Sequence, residues 1–199
     1  MSNTLVFLGQ FLKSPFRTGA IAPSSRVLAR EMVRNIDVGP GDVVVEYGPG
    51  TGSFTRMLAP LAERGVRYLG IERNPRFHEM MTAAFPQLTF VEGGAEDVAK
   101  HLEERGLPAP KAVISGLPIA AMPMPVQKQI IAETSRVLAP GGVFHQFSYC
   151  HFYPVARPLR QLMRAAFDSF ELSRPVMRNV PPAFVYIGRN APAAAAAGV

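Results

Sequence analysis

Apolar residues in this chain fall into short unbroken runs, separated by longer stretches in which they recur every three or four positions. Runs at 66–72, 88–91, 112–115 and 143–149, with another that ends at Glu46, read as strands buried on both faces. Between them, 54–63, 75–84, 95–105 and 126–138 read as amphipathic helices, the last with Val126, Ile130 and Val137 on one side. Strict alternation of strand and helix predicts an α/β fold with a doubly wound parallel sheet. After Pro158 a helix runs to Phe167, and two strand-like segments follow at 169–176 and 183–188. Only a short Pro-rich link joins them, so they pair as an antiparallel hairpin.

The ends of the chain read differently. In 1–13, Leu5, Leu8, Phe11 and Leu12 share one half of a helical wheel, with Asn3, Gln10 and Lys13 opposite, and Pro15 ends the pattern. Such a helix either packs on the domain as a lid or lies in a membrane interface with Lys13 and Arg17 at anionic headgroups. The expected organisation is an amphipathic helix and lid segment over 1–25, an α/β domain over 26–190 and a disordered alanine-rich tail over 191–199.

Composition narrows the setting. A chain of 199 residues that is 48% hydrophobic can bury one good core, which fits a single α/β domain. One cysteine, Cys150, excludes an intramolecular disulfide, and His145, Cys150 and His151 lack recognised ligand spacing, so no metal site is expected. The net charge of +6 calls for acidic partners: nucleic acid, an anionic membrane surface or a phosphorylated substrate. Arg157, Arg160 and Arg164 line up on one helical face, either as a solvated surface or as part of such a contact. With no apolar run of about 18 residues and no leader-like N-terminus, a cytoplasmic chain is expected.

The most chemically specific segment is VVEYGPGTG, 44–52, where an apolar strand ends in an acid and glycines follow at 48, 50 and 52. Glycine there lets the backbone approach a ligand and adopt positive φ. A dinucleotide fingerprint would need glycine at its sixth place, which is Ser53. The acid–x–Gly–x–Gly–x–Gly order instead resembles the opening of S-adenosylmethionine-dependent methyltransferases, against the alternative of a generic Rossmann turn. On that reading Glu46, Tyr47, Gly48, Gly50 and Gly52 border the cofactor, with Glu46 facing its ammonium. A second strand ends at Glu72, spaced to accept ribose hydroxyls, with Arg73 beside it. The alternative for Glu72 is an acid at the start of a helix. After the third strand, Ala95 and Glu96, with Asp97 in reserve, are candidates at the adenine.

Past the fourth strand comes Ser115, Gly116, Leu117, Pro118. Methyltransferases acting on planar amines carry Asp, Asn or Ser, then x, Pro and an aromatic that stacks on the base. Ser115 and Pro118 fit, but Ile119 replaces the ring, which favours a non-aromatic amine. Tyr149 or Tyr153 are the remaining candidates for a ring.

With SPFRTGAIAPSS (14–25), the glycine turn, SGLP and RNVPPAFVY (178–186), the chain resembles the bacterial phospholipid N-methyltransferases that convert phosphatidylethanolamine to phosphatidylcholine. It is also similar to the ribosomal RNA adenine dimethyltransferases, but departs from them at Ile119 and lacks their helical C-terminal domain. Gly94 stands where an aspartate commonly precedes the alanine. The resemblance implies a Rossmann-like methyltransferase sheet, S-adenosylmethionine as cofactor and a phospholipid substrate. It further implies a monomer at the inner face of the cell membrane, with no nucleic-acid partner. It implies Ser115 orienting the amine, a base among Tyr149, His145 and His151, with Tyr149 preferred, and Arg178, Arg17 and Lys13 on the lipid phosphate. Two other classes stay open: a nucleic-acid methyltransferase and a non-catalytic lipid-binding protein.

Overall fold

A computed structural model of the protein describes residues 25–149, 154–179 and 182–193. Its elements are α1 (Arg26–Met32), β1 (Val43–Tyr47), α2 (Thr55–Glu63), β2 (Arg67–Glu72), α3 (Pro75–Ala84), β3 (Thr89–Glu92) and α4 (Val98–Glu103). Then come β4 (Ala112–Ser115), α5 (Met124–Val137), β5 (Val143–Ser148), α6 (Arg157–Ala166), β6 (Ser169–Leu172) and β7 (Phe184–Arg189). They form one seven-stranded sheet in the order β3-β2-β1-β4-β5-β7-β6. β3, β2, β1, β4 and β5 are parallel, and β7 runs antiparallel to both of its neighbours.

Each face of the sheet carries its own core. Alternation along β1 sends Val43, Val45 and Tyr47 to one face, where they meet Val98 of α4, Ile130 and Ile131 of α5 and Leu159 and Met163 of α6. Val44 faces the other way, into a cluster with Leu28 and Met32 of α1, Leu58 of α2 and Tyr68 of β2. All five residues of β1 are buried, as its central place demands. Because β1 lies between β2 and β4, the order reverses there, and ligands bind such sheets in the crevice beyond the strand carboxyl ends at that reversal.

The elements differ from the expected ones at several points. α1 was not foreseen; Leu28, Ala29 and Met32 form its buried stripe, and Ser25 caps it by accepting the Leu28 N–H. The hairpin forms, but its second strand inserts between β5 and β6: the apolar β7 takes the interior and the exposed β6 the edge. β6 stops at Leu172, short of Val176, because Ser173 Oγ accepts the Val185 N–H and Pro175 has no N–H to donate. One bridge, Val176 to Ala183, resumes the pairing beyond. β5 ends at Ser148, one residue before Tyr149.

Candidate active site

At the end of β1 the chain turns sharply through 48–52. The Gly48 N–H donates to the Ile71 carbonyl at 2.9 Å and the Gly52 N–H to the Pro49 carbonyl at 2.8 Å. Gly48 holds a φ of +62° with Leu117 packed where a side chain would go, so it is excluded from substitution twice over. Gly50, at φ +55°, has only the Gly48 carbonyl within 4 Å of that direction. The turn therefore leaves free room at Gly50.

Glu72 secures this turn from β2. Its Oε2 accepts the Gly50 N–H at 3.0 Å and its Oε1 the Asn74 N–H at 2.8 Å, leaving each oxygen a lone pair. Asn74 and Pro75 open α3, with the Asn74 side chain accepting the Arg76 N–H. Beside Glu72 lies an open cavity. Glu72, Arg73, Ala95 and Glu96 all line it, facing an apolar wall of Ile71, Leu117, Met122, Val126 and Ile130. Arg73 and Glu96 form an ion pair, and a side chain at Gly94 would run into both partners. An aspartate there would have to push that pair aside.

Other candidates are placed elsewhere. Glu46 is wholly buried against α2, where Oε2 accepts the Tyr68 hydroxyl at 2.6 Å and the Thr55 hydroxyl at 2.8 Å, and Oε1 has no partner. Burial raises its pKa to about 7 against the lowering effect of those two hydrogen bonds. The Tyr47 ring lies in the core with its hydroxyl 3.1 Å from Thr134 Oγ1, so only its backbone reaches the turn. His145 is buried with Nδ1 2.8 Å from the Met32 carbonyl, and burial lowers its pKa to about 4. Tyr149 packs on Phe147, ring centroids 4.8 Å apart, in the cluster on the face away from the cavity lining. Arg178 is exposed, next to the buried Asn179, whose Oδ1 accepts the Ser25 N–H at 3.0 Å. Lys13, Arg17, His151 and Tyr153 lie outside the described residues.

The loop after β4 abuts the glycine turn. Counted back from Pro118, the polar place of the Asp/Asn/Ser–x–Pro pattern falls on Gly116, one residue after Ser115. Nothing larger fits there: the Gly116 N–H donates to the Tyr47 carbonyl at 2.7 Å, and a Cβ would lie 2.6 Å from the Gly48 carbonyl. Ser115, wholly buried, instead accepts the Leu117 N–H at 3.3 Å. Ile119 is fully buried in the core, so this position serves packing and offers no stacking surface. Two residues that sequence reasoning missed hold the loop. Gln127 of α5 donates to the Met122 carbonyl at 2.8 Å, and Gln146 of β5 to the Leu117 carbonyl at 2.8 Å. The signal was present for Gln146, a carboxamide inside an apolar strand. Among the described residues no cluster of His, Cys, Asp and Glu could hold a metal, and no helix is long and apolar enough to cross a membrane.

Comparisons with known proteins agree with this geometry. The methyltransferase domain family model matches residues 44–142. The ornithine lipid N-methyltransferase of Singulisphaera acidiphila is 34% identical over 96% of this chain and 97% of its own length. The chain belongs to the bacterial lipid N-methyltransferase family of class I S-adenosylmethionine-dependent methyltransferases. The ribosomal RNA small subunit methyltransferase A of Phenylobacterium zucineum is 37% identical, but over only 46% of this chain and 31% of its own. Among solved structures, an S-adenosylmethionine-dependent O-methyltransferase from Thermotoga maritima shares the fold at TM-score 0.66 and 12% identity, covering 92% of this chain and 71% of its own. This enzyme is a methyltransferase with S-adenosylmethionine as methyl donor.

Proposed function

We propose that this enzyme N-methylates the primary amine of a membrane amino-lipid, with phosphatidylethanolamine as substrate and the cytoplasmic membrane surface as its place of work. The observation that carries this reading is coverage: the lipid N-methyltransferase matches nearly end to end, while the RNA-modifying relative matches under half of the chain. The buried Ile119 supports it, since a flat base would find no ring there. Ornithine lipid is the second reading, favoured by the name of that full-length relative. Both lipids offer a primary ammonium beside an anion, and the exposed Arg178 suits either anion.

The donor set suits the cofactor. The free lone pairs of Glu72 match ribose hydroxyls, the apolar wall matches a flat ring with Glu96 at its edge, and the room at Gly50 admits the amino-acid part. When bound, S-adenosylmethionine supplies an electrophilic methyl whose bonding pair stays on sulfur. The chain must then hold the substrate amine in line and let its ammonium shed a proton first. With Tyr149 packed away from the cavity lining, water is the simplest proton acceptor and Ser115 an orienting group.

Incubation with methyl-labelled S-adenosylmethionine tests this reading. Vesicles of phosphatidylethanolamine, vesicles of ornithine lipid and ribosomal RNA would be offered in parallel, and the products separated. Label is expected in lipid, with phosphatidylethanolamine ahead. Label in RNA alone would discard the lipid assignment.

A further inference from the structure

The face of the sheet that carries the cavity also holds buried polar groups with no use in the site described so far. Gln146 and Ser148 occupy alternate positions of β5 and so share a face, and Gln146 pairs in register with Ser115 on β4. Gln146 is wholly buried and Ser148 is 4% exposed. The Gln146 amide nitrogen has two acceptors, the Leu117 carbonyl at 2.8 Å and the Phe147 carbonyl at 2.7 Å, which fixes which end of the carboxamide is which. Its oxygen, Oε1, has no hydrogen bond, and neither has Ser148 Oγ. An orphaned buried polar atom is uncommon and costs about 1–3 kcal/mol, so two of them two residues apart on one strand call for a cause.

Their position suggests one. Leu117 joins Gln146 to the site, because it lines the cavity and its carbonyl takes the Gln146 amide. Ser148 is the last residue of β5, at the strand carboxyl end where a substrate arrives. A neutral primary amine attacking through its lone pair carries two N–H groups, and in a dry site each needs an acceptor.

We propose that Gln146 Oε1 and Ser148 Oγ receive those two N–H groups and thereby select the unmethylated headgroup. The proposal rests on the amino-lipid reading above and deepens it. In each transfer the substrate ammonium first sheds a proton to solvent, and the freed lone pair then forms the N–C bond as the methyl's S–C bond breaks with its pair left on sulfur. One N–H is replaced by one methyl each time. A monomethylated headgroup therefore engages one acceptor and a dimethylated headgroup neither. The pair governs the first transfer most and the third least.

The test compares wild type, Ser148→Ala and Gln146→Met on two vesicle substrates, phosphatidylethanolamine and its N,N-dimethyl form. If the wild type labels only ornithine lipid, that lipid and its dimethyl form are used. The readouts are kcat/KM and, by calorimetry, cofactor affinity. Each variant is expected to lose at least about tenfold on the primary amine and less than about threefold on the dimethylated one, with cofactor affinity unchanged. Ser148→Ala removes a single oxygen and keeps the comparison decisive if Gln146→Met disturbs the Leu117 loop. An equal loss on both lipids, or no loss on either, overturns the proposal. A wild type that labels none of these lipids overturns the amino-lipid reading itself, and this proposal with it.

Discussion

The two halves of the sheet handle their polar groups in opposite ways. Around β1, β2 and β3 the polar side chains that line the cavity are bonded before any ligand arrives: Glu72 holds two backbone N–H groups and Arg73 pairs with Glu96, while the unpaired Glu46 Oε1 is buried on the opposite face. Around β4 and β5, Gln146 Oε1 and Ser148 Oγ are buried and unpaired. A preformed cofactor half keeps its shape through repeated turnover, whereas unmet acceptors in the other half reward only a ligand that brings donors. Specificity is thus concentrated where bonds are missing, and binding where they are already made.

The largest expected effect comes from breaking the preformed half. Glu72→Ala removes the acceptor of the Gly50 and Asn74 N–H groups together with the ribose contact assigned to it. Charged hydrogen bonds contribute about 1.5–3 kcal/mol each, so cofactor affinity should fall by more than about 100-fold. Calorimetry on the folded variant measures it. An affinity within a few-fold of wild type would remove Glu72 from the site.

This asymmetry also explains what could be read in advance. The glycine turn, Glu72 and the Ala95–Glu96 pair each stand at or just past the end of a strand, and parallel pairing of β1, β2 and β3 brings those ends to one edge, so the strand pattern placed these segments near one another. The strands and helices of the alternating core were legible because period and punctuation are local properties. Gln146 and Ser148 become a pair only through the pleat of β5 and its register with β4, and their unpaired state is visible only once every neighbour is known. Glu46 shows the converse: the motif marks it as a ligand contact, yet tertiary packing buries it under Tyr68 and Thr55. The insertion of β7 beside β5 depended on relative burial of two strands, which a hairpin pattern alone does not rank.

Beneath this contrast lies another, on the far face, where two buried titratable groups shift in opposite directions. Glu46 keeps its proton up to about pH 7, against a usual value of 4.5, so its contribution to stability is full below 4.5 and is lost as pH rises through 7. His145 stays unprotonated down to about pH 4, against 6.5, so its contribution is full above 6.5 and is lost as pH falls towards 4. Each amounts to about 3 kcal/mol across its window. From pH 4.5 to 6.5 the two slopes cancel, and these groups leave stability flat. Glu46→Gln should expose the His145 slope, a rise of about 3 kcal/mol from pH 4 to 6.5. His145→Gln should expose a fall of similar size from pH 4.5 to 7. Denaturant unfolding of the cofactor-free proteins across this range checks both, and parallel curves for all three would show that neither group is shifted.

The smallest effect sharpens the cofactor half at its edge. Gly94 lies against the Arg73–Glu96 pair, and the atoms a new methyl group would meet are the flexible ends of those two side chains. Gly94 has a φ of −99°, which alanine adopts without strain, so Gly94→Ala should leave stability nearly unchanged. It should nevertheless push Glu96 aside and weaken cofactor binding by about 1 kcal/mol, or roughly fivefold. Glu96→Ala, which deletes the carboxylate, should weaken binding by about 1.5 kcal/mol. Because both act through one carboxylate, the double variant should bind no worse than Glu96→Ala alone. Additive losses in that cycle would mean that Gly94 acts on the cofactor directly and that Glu96 is not the group it displaces.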